Sequence, residues 1–197
     1  MTDTLTFYPP PDDLPVIEWT FLKPGDCLLT SDQQWWVSGA IQGITDSPWS
    51  HAAMVVADAD NGGLFVAEMT WPKCRVTALD AWLEANQPVF ACRLQKWLPL
   101  LDANRLWSWW RAKVGAPYDF MLLLTLGPVT WWQRLSTWLR LPLSWRRIQP
   151  WAGTGVCSVC VSWAWQAAGL APDEDTGMTP ADIPRQEFLL PVERVLT

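Results

Sequence analysis

The order of apolar and polar positions predicts short strands first and helices afterwards. Strands are indicated for CLLT (27–30), SHAAMVVAD (50–58), GLFVAEMTW (63–71), CRVTA (74–78), PVFACRLQ (88–95) and the terminal FLLPVERVL (188–196). Turn-forming residues from 58 to 63 join two of these strands into a predicted hairpin. Helices are indicated for 34–45, 79–87, 100–114 and 157–168, with one or two more within 120–147. This order predicts an α+β fold with an antiparallel sheet rather than a doubly wound parallel sheet.

The length of 197 residues is typical of one domain that carries an insertion. Residues 1–15 are rich in Pro and Asp and predict an irregular N-terminal arm. Residues 120–150 are rich in Trp and Arg and predict a helical insertion.

Composition and charge exclude several classes of protein. With 50% hydrophobic and 17% charged residues, the chain is not intrinsically disordered. A net charge of −6 argues against a strongly basic nucleic-acid binder, so we expect no nucleic-acid partner. The N-terminus has no basic segment followed by an apolar one, and the cysteines number five, so we expect reduced thiols and a cytoplasmic protein.

Between residues 104 and 150, seven Lys or Arg residues face one acidic residue, and seven tryptophans accompany them. Indole rings favour the headgroup layer and Arg attracts anionic lipid, so the pattern predicts peripheral contact with an anionic membrane. The contact residues would be Trp131, Trp132, Trp138, Arg140, Trp145, Arg146 and Arg147. Packing on the protein's own core, with Arg side chains reaching outward, and a protein partner remain open as alternatives. No uninterrupted apolar stretch predicts a membrane-spanning helix.

Cys157 is a candidate nucleophile because it begins a predicted helix. Unpaired backbone N–H groups and the helix macrodipole stabilise a thiolate at that position. The same N–H groups can hold the oxyanion that forms when a thiolate attacks a carbonyl.

His51, the only histidine, is the candidate base. Alternation places His51, Ala53 and Val55 on one side of their strand, which we expect to be the side that faces the cysteine helix. There the imidazole would lower the thiol pKa and store a proton for the leaving group. Glu68 lies in the apolar strand predicted to pair with this one, where a carboxylate needs a partner, so we expect Glu68 to orient the His51 ring.

Each of these residues also has a structural interpretation. His51 could be a hydrogen-bonded structural group, Cys157 a small buried apolar residue, and Glu68 an outward-facing residue of an edge strand. Cys157 and Cys160 form a C-x-x-C pair, so a redox dithiol stays open. One such pair and one histidine make a poor ligand set, and we expect no metal and no other cofactor.

The motifs occur in an order that resembles a known family. They are Gly25-Asp26, TDSPWSHAAMVV (45–56), VAEM (66–69), GAPYDF (115–120) and VCSVCVSWAW (156–165). Together they resemble the permuted NlpC-type papain-like cysteine amidases, in their YiiX-like branch, which is distantly related to lecithin:retinol acyltransferase. The sequence departs from that pattern where Cys160 replaces an aliphatic residue and where the Trp/Arg-rich segment is added.

The resemblance implies a single, circularly permuted papain-like domain over residues 1–197. It implies Cys157 as nucleophile, His51 as base and Glu68 as the orienting carboxylate. Tyr118 would line the cleft and donate to the substrate carbonyl, or else pack beneath the cysteine helix. Asp26 is expected to cap a turn.

We therefore expect a cysteine hydrolase, either an amidase, a peptidase or a lipid esterase, or else an acyltransferase, working through a thioester. Its substrate would be a peptide, a lipid or a lipid-linked amide. The alternatives are an inactive membrane- or partner-binding module of the same fold, and a thiol redox protein that uses Cys157 and Cys160.

Overall fold

The computed structural model describes residues 21–31, 36–86, 89–94, 101–119, 156–169, 180, 183 and 189–191. Its strands are β1 (Cys27–Thr30), β2 (His51–Ala57), β3 (Leu64–Met69), β4 (Cys74–Ala78), β5 (Val89–Leu94) and β6 (Leu189–Pro191). Its helices are α1 (Trp36–Thr45), α2 (Leu79–Ala85), α3 (Ala103–Lys113) and α4 (Cys157–Ala167). The predicted α+β class is confirmed, and the boundaries of these elements differ from the predicted ones by a few residues.

The strands form one six-stranded sheet in the order β4-β3-β2-β1-β5-β6. Every pairing in this sheet is antiparallel. The predicted hairpin joins β2 to β3, and Asp58 and Gly63 close its turn through a backbone hydrogen bond of 2.9 Å. The antiparallel sheet predicted from the sequence is therefore present.

Each face of the sheet carries its own apolar cluster. We call one the α4 face; it contains side chains of β2 and β3 together with residues of α3 and α4, among them Met54, Trp110, Cys157 and Trp165. We call the other the α2 face; it contains alternate side chains of the same strands, and Trp82 and Leu83 of α2. Helices on both faces explain why β2 is apolar at nearly every position.

An ion pair connects Asp26, the residue before β1, to Arg93 of β5. Asp26, which is fully buried, accepts hydrogen bonds from Arg93 Nε at 2.8 Å and from Arg93 Nη2 at 2.7 Å. Asp26 also accepts the backbone N–H of Lys23 at 2.8 Å, so its predicted role in capping a turn is confirmed. The contact with Arg93 is not evident in the sequence, since 67 positions separate the two residues.

Two predicted regions lie outside the described residues: the N-terminal arm 1–15 and the Trp/Arg-rich segment 120–150. The predicted membrane-contact tryptophans and arginines, from Trp131 to Arg147, belong to that second segment. Within the part of the chain that the structure describes, no helix has the length and apolar character needed to cross a membrane.

Candidate active site

Cys157 is the first residue of α4, as predicted. Val156, the residue before it, has an extended backbone and provides no side-chain cap to the backbone N–H groups of the first turn. The other end of the helix is anchored by Trp165, whose Nε1–H donates to the carbonyl oxygen of Gly25 at 2.9 Å. The packing of α4 on the sheet thus fixes where the sulfur lies.

His51 is the first residue of β2, opposite Thr30 of β1. The chain enters β2 through Ser50, whose backbone N–H donates to the carbonyl of Thr30 at 3.1 Å. The side-chain amide of Gln42 in α1 supports this entry, because it donates to Ser31 Oγ at 2.6 Å and to the carbonyl of Pro48 at 2.7 Å. These contacts hold the start of β2, and with it the imidazole, in place.

The prediction that the side of β2 with Ala53 and Val55 faces the cysteine helix is wrong. Ala53 and Val55, which share the register of His51, pack in the cluster of the α2 face. The neighbouring residues Ala52 and Met54 pack in the cluster that contains α4. His51 nevertheless contacts Cys157, because it stands at the end of the strand, next to the first turn of α4.

Glu68 lies on β3 and is almost completely buried, with 1% of its side chain exposed. His51 Nε2 donates to Glu68 Oε2 at 2.6 Å. Arg75, directly opposite Glu68 on β4, donates from Nε to the other oxygen, Oε1, also at 2.6 Å. The two carboxylate oxygens therefore have one cationic partner each.

The three predicted residues form a hydrogen-bonded chain from sulfur to carboxylate. Burial opposes the charged form of His51, but hydrogen bonds and charge interactions with Cys157 and Glu68 raise the pKa of His51 to about 10. Burial likewise opposes a charged Glu68, yet His51 and Arg75 lower the pKa of Glu68 to about 2. The electrostatics favour an imidazolium next to an ionised carboxylate.

The pKa of Cys157 lies below the ordinary value of a thiol. Burial raises this pKa, but the hydrogen bond and charge of His51 outweigh burial, and the backbone N–H groups of Ala52 and Ser158 also donate to the sulfur. The four other cysteines, all free and buried, have raised pKa values because burial dominates. Cys157 is thus the thiol that differs from the rest.

Tyr118 lies at the edge of this site. Its backbone N–H donates to the carbonyl of Pro72 at 3.0 Å, and its ring packs against Val156 and Val159 at the start of α4. Burial, and then the nearby thiols Cys157 and Cys160, raise the pKa of Tyr118. The packing role considered for Tyr118 is therefore present, and its contact with a substrate stays a prediction.

Sequence reasoning missed Arg75. Its partner Glu68 lies across a strand pairing whose register the sequence does not reveal. The available signal was an arginine within a short apolar strand next in sequence to the Glu68 strand, since an antiparallel neighbour can place a cation opposite a buried carboxylate.

Within the described ranges, no group of three or more His, Cys, Asp and Glu side chains is arranged to hold a metal ion.

Comparison with solved structures finds a similar fold in the crystal structure of YiiX from Escherichia coli O157:H7, which is described as a metalloprotein. The TM-score is 0.51 and the sequence identity is 22%. The similarity covers 74% of this chain and 66% of that protein, slightly less than two thirds of its length. No protein-family model matches the sequence, and no curated protein matches it. The chain thus has a YiiX-like fold.

Proposed function

We propose that the protein is a cysteine hydrolase or acyltransferase of the permuted papain-like type, in which Cys157, His51 and Glu68 form a catalytic triad. One observation carries the proposal: the single histidine bonds a helix-start cysteine on one side and a buried carboxylate, at 2.6 Å, on the other. Three distant stretches of chain converge there.

The reaction begins with the thiolate of Cys157 attacking a substrate carbonyl carbon, which forms a C–S bond and a tetrahedral oxyanion. Backbone N–H groups at the start of α4 stabilise this oxyanion. His51 gives its proton to the leaving amine or alcohol as the bond to that group breaks and a thioester remains. His51 then takes a proton from water, or from an acceptor alcohol or amine, which attacks the thioester and releases Cys157.

The substrate class follows from the sequence resemblance and from the Trp/Arg-rich segment. We propose a lipid, a lipid-linked amide or a peptide amide as substrate. Tyr118, at the edge of the site, would donate to its carbonyl oxygen. A cytoplasmic location and an anionic membrane surface are part of the same proposal.

The first experiment tests the ion pair without a substrate. Because the chain contains one histidine, the imidazole ¹⁵N signals of tag-free protein come from His51 alone. We expect both ring nitrogens to be protonated at pH 8, well below the pKa of about 10. In Cys157→Ala the pKa of His51 should fall, because the hydrogen bond and the negative charge of the thiolate are lost. A neutral ring at pH 8 in the wild-type protein would contradict the triad.

The second experiment tests reactivity. Iodoacetamide labelling at pH 7, resolved by peptide mass spectrometry, should modify Cys157 faster than Cys27 or Cys92, and His51→Ala should remove this advantage. Incubation with lipid and peptide extracts should then leave an acyl adduct on Cys157 in the intact mass. Equal labelling of the three cysteines, with no adduct, would favour the inactive binding module.

The C-x-x-C spacing of Cys157 and Cys160 supports a second candidate, a thiol redox protein. Cys160 is one helical turn further along α4, and burial raises its pKa while the pKa of Cys157 is lowered. Reactive dithiols combine one activated and one buried thiol in this way. A thiol redox protein would show a reversible two-electron couple in the wild-type protein, and a Cys160→Ser variant that keeps full hydrolysis would exclude this candidate.

Membrane contact through the Trp/Arg-rich segment has its own test. Binding to vesicles that contain phosphatidylserine should weaken as salt is raised and when Arg146 and Arg147 are both replaced by Glu. The exposed Arg105→Glu variant, outside the segment, is the matched control. Flotation that neither salt nor the double substitution changes would show that the segment has another role.

A further inference from the structure

Arg75 occupies a position that the triad does not explain. It stands directly opposite Glu68 in the β3–β4 register, and its Nε–H donates to Glu68 Oε1 at 2.6 Å. His51 occupies the other oxygen of the same carboxylate. Arg75 is 55% exposed while Glu68 is 1% exposed, so one cation reaches from solvent to a buried anion. A carboxylate held at both oxygens has little freedom to turn.

We propose that Arg75 is a positioning residue that acts on Cys157 and His51 through Glu68. Its Nε–H bonds one oxygen of Glu68 while the imidazole bonds the other, and its positive charge offsets part of the carboxylate charge at the thiolate–imidazolium pair. This inference rests on the proposed function and adds a fourth, partly exposed member to the triad.

The sign of the effect follows from the charges. Without Arg75, the negative charge of Glu68 acts on the pair unopposed. A more negative surrounding disfavours the thiolate of Cys157 and favours the protonated ring of His51, so both pKa values should rise. Mere loosening of the site would weaken the bond from His51 to Glu68 and lower the pKa of His51 instead.

Other ionisable groups also lie near the site. They are Cys27 on β1, Cys74 on β4, Lys113 on α3, Cys160 on α4, and Tyr118 with Asp119 in the segment that follows α3. Burial raises the pKa values of the three other thiols and of the Tyr118 phenol, so these groups remain protonated at neutral pH. The Cys157–His51 pair and Glu68 therefore dominate the response of the site to removal of the Arg75 charge.

Three variants separate charge, contact and background. Arg75→Gln removes the charge and the Nε–H contact, and Arg75→Lys keeps the charge without the guanidinium geometry. Lys73→Gln is the matched control, since it removes one positive charge two positions earlier, also from an exposed site. Because Arg75 is half exposed, we expect all three proteins to fold, and their circular dichroism and urea midpoints will check this.

Two titrations give the result without a substrate. The pH dependence of Cys157 alkylation reports the pKa of the thiol, and the imidazole NMR signal reports the pKa of His51. In Arg75→Gln we expect both midpoints to move up by about half a pH unit, a size typical of a partly exposed charge. Arg75→Lys should recover at least half of each shift, and Lys73→Gln should move neither.

The proposal is overturned if the His51 midpoint falls, if neither midpoint moves, or if Lys73→Gln produces the same shifts. Failure of the proposed function gives a different result. In that case the alkylation rate of Cys157 in the wild-type protein would not rise at any pH below the ordinary range of a thiol. With a substrate in hand, Arg75→Gln should lower kcat about threefold with KM unchanged, as expected for a group that acts on the reaction rather than on binding.

Discussion

At the scale of single residues, the site depends on hydrogen bonds that balance burial. Cys157 is 3% exposed, and a buried thiol would ordinarily hold its proton. The His51 ring and two backbone N–H groups reverse that preference. His51 in turn remains protonated because Glu68 accepts its Nε2–H. The charge state of the Cys157 sulfur therefore depends on Glu68, a residue of β3 that acts on it through His51.

Replacing Glu68 with Gln tests this dependence. The amide has nearly the shape of the carboxylate but no charge, so the pKa of His51 should fall from about 10 toward the ordinary 6.5. Less imidazolium means less thiolate, and we expect kcat/KM at pH 7 to fall roughly 10²-fold. The readouts are Cys157 alkylation at pH 7 and turnover of the substrate.

Glu84→Gln is the control for that experiment, since Glu84 is an exposed carboxylate on α2. It should label and turn over like the wild type. Alkylation in Glu68→Gln at the wild-type rate would mean that the carboxylate has no part in activating the thiol.

At the scale of secondary structure, the sheet brings together residues that lie far apart in sequence. The pairing of β2 with β3 puts His51 near Glu68, and the pairing of β3 with β4 puts Arg75 opposite Glu68. The pairing of β1 with β5 does the same for Asp26 and Arg93 at another place in the sheet. Antiparallel register thus brings an arginine to each of the two buried carboxylates, Glu68 and Asp26.

The pair of Asp26 and Arg93 gives a prediction about stability. Arg93→Met leaves a fully buried carboxylate without its cation, which should lower the free energy of unfolding by about 3 kcal/mol or more. Adding Asp26→Asn removes the carboxylate charge that has lost its cation, while the new amide oxygen can still accept the N–H of Lys23. We therefore expect the double variant to be more stable than Arg93→Met in urea denaturation. A double variant that is less stable than the single one would contradict this account.

At the scale of the whole molecule, proton binding links the site to the stability of the fold. Because the pKa of His51 is raised, its stabilisation is complete below the ordinary 6.5 and is lost as pH rises through about 10. The pKa of Cys157 is lowered, so its stabilisation is complete above the ordinary 9.0 and decreases as pH falls. Between pH 6.5 and 9.0 the two changes oppose each other, since the stabilisation from His51 is lost as pH rises while that from Cys157 is gained.

This cancellation predicts different pH profiles for two proteins. From pH 6.5 to 9.0 the wild-type free energy of unfolding should change less with pH than that of Cys157→Ala, because the contributions of Cys157 and His51 oppose each other. In Cys157→Ala the contribution of His51 stands alone, and each pH unit over which the folded state keeps one extra proton should cost about 1.4 kcal/mol. Urea denaturation at four pH values across this range measures both slopes. Parallel profiles for the two proteins would exclude an ion pair between Cys157 and His51.

Local patterns were sufficient for much of the fold. Apolar runs separated by turn residues marked all five strands from β1 to β5, because strand and turn preferences act over a few neighbouring residues. The helix that begins at Cys157 was predictable for the same reason. The face of β2 was not, since both faces are apolar and alternation alone does not say which helix covers which side. His51 was assigned to the wrong face on that ground.

By itself, the sequence determined the α+β class, the order of the elements, and the three residue types capable of thiol chemistry, because each of these follows from local preference or intrinsic reactivity. Only the tertiary structure decided that His51 reaches Cys157 from a strand end, that Arg75 holds the second oxygen of Glu68, and that Arg93 neutralises Asp26. Those contacts depend on strand register and on how helices pack across the sheet. Because these contacts join residues that lie far apart in sequence, no short stretch of the sequence predicts them.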